Sequence, residues 1–201
     1  MRLATIRKIV RAPGLALLIA LLVPSVAAAH PIKGVGDFYA GMLHPLTALD
    51  FLLPWIALAL FAGQQGRKAS LLTLGIFPFA LMFGAGLALI APAPAWLPAV
   101  SLAVIPFLGL AVALAFSCPS IVTILLVAIV GSLHGFANGS EITTSMSAWR
   151  FIPGLATSAI LILTYGIGLV RSLHKPWTRI AVRVVGSWIA AIGILVCAFK
   201  L

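Results

Sequence analysis

Few side chains in this chain can do chemistry, which makes their placement informative. Its acidic residues are Asp37, Asp50 and Glu141, and its histidines are His30, His44, His134 and His174. They sit in a sequence that is 63% hydrophobic and 8% charged. An ionisable group at membrane depth costs about 2.5–3.5 kcal/mol on insertion scales, so it needs a partner and by default marks a pathway or site. The first cluster is His44-Pro45-Leu46-Thr47-Ala48-Leu49-Asp50. On an ideal helix His44 shares a face with Phe51, and Asp50 lies about 100° from it. Both polar side chains are expected to point into the bundle. The second cluster is His134-Gly135-Phe136-Ala137-Asn138-Gly139-Ser140-Glu141. His134, Asn138 and Glu141 stand at i, i+4 and i+7 and fall on one helical stripe. Gly135 and Gly139 clear its flank, so the backbone there could open. If the clusters meet, the two imidazoles, two carboxylates and one amide suit a borderline divalent ion such as nickel, cobalt or zinc. Such a site would bind with modest affinity and release. The same residues also read as a buried polar network that only ties helices together.

The elements that position these residues are apolar helices. A soluble domain carries about 25% charged residues, so lipid must be the solvent for most of this chain. Residues 1–29 read as a cleavable signal peptide: a basic start, a short apolar run from Gly14 to Val26, and the small-residue site Ala27-Ala28-Ala29. Cleavage would leave His30 as the mature N-terminus. Its amine and imidazole could then chelate copper or nickel, or it could be a plain exposed terminal residue. Residues 30–201 read as a six-helix transmembrane domain, with segments near 40–62, 69–90, 98–116, 119–136, 151–170 and 180–199. Each approaches the roughly 20 residues that a helix needs to cross the hydrocarbon core. The expected fold is an all-α membrane protein, a bundle of six transmembrane helices after a cleavable signal peptide.

Orientation follows from short-loop charges. Arg67, Lys68, Arg171, Lys175 and Arg179 fall in loops on one side, with Arg150 on the other. The basic side is read as cytoplasmic, which places the mature N-terminus outside a bacterial inner membrane. The short link between the third and fourth segments predicts an antiparallel hairpin. Pro45, Pro54, Pro78 and Pro106 are expected to start or kink helices. Glycines within the segments allow close helix approach. Trp55, Trp96, Trp149, Trp177 and Trp188 read as interfacial anchors.

The net charge of +10 comes from segment flanks rather than from a basic face interleaved with aromatics, so nucleic acid is excluded as a partner. Cys118 and Cys197 fall near opposite membrane faces and read as packing residues. No phosphate-binding loop is present, which excludes ATP-driven transport by this chain alone. No nucleophile–base pair or organic-cofactor motif stands out, so an enzyme is not expected.

The chain resembles the HupE/UreJ family of membrane proteins. The resemblance rests on the leader ending in Ala-His-Pro, on Gly41-Met42-Leu43-His44-Pro45-Leu46-Thr47-Ala48-Leu49-Asp50, and on His134-Gly135 with Gly139-Ser140-Glu141. It implies a hydrogenase or urease accessory function and a nickel or cobalt permease activity. His44, Asp50, His134 and Glu141 match and carry over as metal-site residues. Phe51, Phe136 and Asn138 stand where the family commonly has His, and do not carry over. The expectation is a secondary permease for a divalent transition metal, with nickel or cobalt ahead of zinc or copper. The alternative is a non-transporting accessory subunit that binds metal or a partner protein during metalloenzyme maturation. Implied partners are the lipid bilayer, the metal ion, an accessory or metalloenzyme protein, and a second copy of the chain.

Overall fold

The computed structural model describes residues 36–200, and these are helical throughout apart from connections. The expected signal peptide, residues 1–29, and His30 lie outside the described residues. The helices are α1 (Asp37–Thr47), α2 (Leu49–Gln64), α3 (Arg67–Ala88), α4 (Leu97–Ala113), α5 (Ser120–Gly139), α6 (Ala148–Ser172) and α7 (Pro176–Lys200). By length and composition α3, α5, α6 and α7 can each cross a membrane. Residues 40–62, expected as one span, instead form α1 and α2, bent by 78° at their junction. Pro45 cannot donate to the preceding turn, and Ala48 takes an extended conformation (φ −117°, ψ 107°). The freed groups are satisfied locally. Thr47 Oγ1 donates to the His44 carbonyl at 2.9 Å, and the Ala48 carbonyl accepts from Phe51 and Leu52. The third expected span shortens to the 17-residue α4.

Helix α2 is the axis of the bundle. Between Asp50 and Gln64 it is apolar all round, and Trp55 and residues 57–62 are buried, as expected of a helix enclosed on every side. Around it, α3 packs on α5, α4 on α7, and α1 on α6. The α4–α5 hairpin is therefore consecutive in sequence, but neither helix is the other's main neighbour. Glycine decides the pairing. Cβ atoms on Gly84 and Gly135 would run into the backbone carbonyls of Ser132 and Leu81, and one on Gly109 would sit 2.5 Å from the Ala190 nitrogen. These backbones already touch, so the pairs are set by main-chain proximity rather than by loop length. Gly135 and Gly139 accordingly serve α3–α5 packing, not an opening of α5. The outer surface carries Phe79, Phe83, Ile129 and Phe199, the apolar exterior that a lipid-facing bundle presents. Trp96, Trp149 and Trp177 are exposed at helix ends. Trp55 is fully buried edge-on to Phe77 at 5.5 Å, so it is a core residue and not an interfacial anchor.

Candidate functional site

The break at Ala48 decides where the first cluster points. α1 lies on α6 at backbone contact: Cβ atoms on Gly41 and Gly154 would strike the Phe151 and Phe38 carbonyls. His44, one turn beyond Gly41, is thereby set against Phe151, with ring centroids 5.6 Å apart. Asp37 Oδ2 accepts the Ser147 N–H at 3.1 Å and ties the start of α1 to that of α6.

Beyond the break, α2 presents Phe51 to both histidines. Its ring lies 5.5 Å from His44 and 6.1 Å from His134. The polar residues divide around this ring. His44 Nε2 is 3.3 Å from Glu141 Oε2, within ion-pair range, although the ring nitrogen is not aligned for a hydrogen bond. Glu141 reaches it because α5 ends at Gly139 and a turn carries Glu141 past the helix, its N–H meeting the Asn138 carbonyl at 3.3 Å. Asp50, expected to point inward, is a third exposed, and its Oδ2 accepts from Lys200 Nζ at 3.0 Å. His134 is fully buried with no partner on either ring nitrogen. Asn138 Nδ2 donates to the His134 carbonyl at 2.7 Å, and its Oδ1 has no donor. The structure thus brings His44 to Glu141 and seals His134 behind Phe51. Among the described residues, no three His, Cys, Asp or Glu side chains converge closely enough to hold an ion together.

A cavity of about 550 Å³ opens beside Phe51. Its polar lining is Asp50, Glu141, Lys200, Ser101 and Ser140. Ser101 Oγ is buried without a partner, whereas Ser140 Oγ is occupied by the Phe136 carbonyl at 2.8 Å. Lys200 and Ser101 were not expected at the site. Neither of them was singled out from the sequence. The signal for both is their type: an isolated polar group on an apolar helix. Phe151 gave no signal, since only the α1–α6 contact brings it near.

The family model described as HupE / UreJ protein matches residues 17–196. The chain belongs to the HupE/UreJ family. A Rhizobium leguminosarum bv. viciae relative, "Protein HupE", is 30% identical over 179 residues, covering 88% of this chain and 92% of its own length. No solved structure matches. The HupE/UreJ match covers α1 to α6 and most of α7, so both polar clusters lie within it, as does all of the cavity lining except Lys200.

Proposed function

We propose that this HupE/UreJ protein is a secondary permease for a divalent transition metal, nickel or cobalt first, admitted through the cavity beside Phe51. The observation that carries the reading is the pairing of the His44 imidazole with the Glu141 carboxylate at 3.3 Å, where Glu141 and Asp50 both line one cavity. Imidazole and carboxylate together are the ligand set that borderline divalent ions prefer. The family's association with hydrogenase and urease accessory functions supports nickel. The cation reaches Asp50 and Glu141 in the cavity, displaces Lys200 from Asp50, and gains the His44 imidazole. Phe51 then closes the way to His134, whose unpaired ring nitrogens offer the next donors. With the cavity facing outward and the potential negative inside, each charge gains about 2.3 kcal/mol per 100 mV. No nucleotide or catalytic step is needed.

The test is metal accumulation in cells carrying His44→Ala or Glu141→Ala, with membrane insertion checked by fractionation. Loss of accumulation in both variants, with insertion intact, supports the permease. Wild-type accumulation in both refutes it.

A second reading has its own observation. Phe51 stands between the two imidazoles and keeps the donors in separate pairs, which suits a non-transporting accessory subunit of a maturing metalloenzyme. A stoichiometric protein partner on purification, with no accumulation of any metal, selects that reading.

A further inference from the structure

The opposite end of the bundle holds a second cavity, of about 520 Å³. Gln64 at the end of α2, Ser117 in the α4–α5 turn, and Arg179 and Arg183 on α7 line it. The two arginines are four residues apart and lie on one face of α7. Arg183 is pinned, its Nε donating to the Ala113 carbonyl at 2.8 Å, which leaves its terminal N–H groups for another acceptor. No carboxylate side chain compensates either charge. The chain has three acidic residues, and all are engaged at the other end: Asp37 with Ser147, Asp50 with Lys200, Glu141 with His44. Gln64 Nε2 donates to the Val112 carbonyl at 3.2 Å, while its Oε1 is buried and lacks a donor.

This cavity repels a cationic cargo. It offers two guanidinium forks, which match phosphate oxygens, and its lining includes Gln64, whose buried Oε1 lacks a donor. Leu173 and Val182 supply apolar wall beside these groups. We propose that the cavity binds a phosphate group with a neighbouring hydroxyl, presented by an anionic glycerophospholipid headgroup of the phosphatidylglycerol type. Arg179 and Arg183 hold the phosphate, Gln64 Oε1 accepts the headgroup hydroxyl, and the apolar wall meets the first acyl carbons. Basic pockets between membrane helices on the cytoplasmic side suit such headgroups, and the charge bias of the loops assigns this end to that side. The site is separate from the metal reading, so a His44→Ala variant retains it.

Thermal unfolding of the full chain in neutral detergent tests the proposal, with added phosphatidylglycerol, phosphatidylcholine, glycerol 3-phosphate or inorganic phosphate. Phosphatidylglycerol at saturating excess should raise the midpoint by roughly 5 °C over phosphatidylcholine. Arg179→Gln/Arg183→Gln should lose that difference and keep the response to phosphatidylcholine. A full shift with either free phosphate compound would overturn the lipid source. Equal shifts with both lipids, or a difference that survives in the double variant, would overturn the site. Should the double variant fail to fold, Arg179→Gln alone is measured by counting retained phosphatidylglycerol in native mass spectrometry, and retention equal to wild type counts against the proposal.

Discussion

Replacing Lys200 with Met asks whether the incoming cation competes with a tethered ammonium for Asp50. Lys200 Nζ and Asp50 Oδ2 are 3.0 Å apart. At that separation the bare attraction is about 1.4 kcal/mol in water and about 5.5 kcal/mol at an effective dielectric constant of 20. The side chains are 56% and 33% exposed, so the solvent-screened end applies, where such pairs contribute about 0.2–1 kcal/mol. A dication that takes Asp50 must break this pair. On the proposed permease function, Lys200→Met should therefore lower the metal concentration for half-maximal uptake by about 1.4- to 5-fold. Lys200→Arg, which keeps the charge, should stay near wild type. The assay is the initial rate of radiolabelled nickel or cobalt uptake over a concentration series. Raising ionic strength should narrow the gap between Lys200→Met and wild type, because salt screens exposed charges. A half-saturation value unchanged or raised in Lys200→Met would refute the competition.

Three further outcomes are expected. Gly41→Ala and Gly154→Ala each place a Cβ against a backbone carbonyl of the facing helix, so α1 and α6 must part. The overpacking cost is about 1–3 kcal/mol, read as a lower unfolding midpoint, and uptake should fall with it because His44 leaves Phe151 and Glu141. Phe51→His puts a third imidazole between the two already present. Isothermal titration of the purified protein should show tighter nickel binding than wild type, and equal or weaker binding would show that the new ring does not join His44 and His134. Gln65→Ala removes a bridge in which Nε2 donates to the Phe116 carbonyl at 2.6 Å and Oε1 accepts the Cys118 N–H at 3.1 Å. The loss should destabilise the chain by about 1–2 kcal/mol, seen as a lower unfolding midpoint with uptake kept at temperatures where the protein is folded.

Much of the fold was legible because membrane helices announce themselves in composition. A shortage of charge and long apolar runs leave helices as the means of satisfying the backbone in lipid, and every described helix lies in or beside an expected segment. Close approach at Gly84, Gly109 and Gly131 was likewise readable, because a missing side chain leaves room for a neighbouring backbone, whereas Gly86 and Gly168, read the same way, face open space. The candidate residues His44, Asp50, His134 and Glu141 could be picked out by type, since each is costly in an apolar setting.

Partnership was not legible. Whether α4 pairs with its neighbour α5 or with the distant α7 depends on which backbones can touch, a property of two surfaces at once. Periodicity assumed an unbroken helix from His44 to Asp50, and the extended Ala48 breaks that assumption, so Asp50 turns toward Lys200, 150 residues away in sequence. Trp55 reads the same whether it anchors an interface or fills a core, and its burial depends on α3 lying over it. Residue type along the chain determined what this protein is made of and which solvent it suits, because hydration cost belongs to each side chain separately. The tertiary structure alone decided which charges meet and which donors stay apart, because distance between side chains is settled by the packing of backbones remote in sequence.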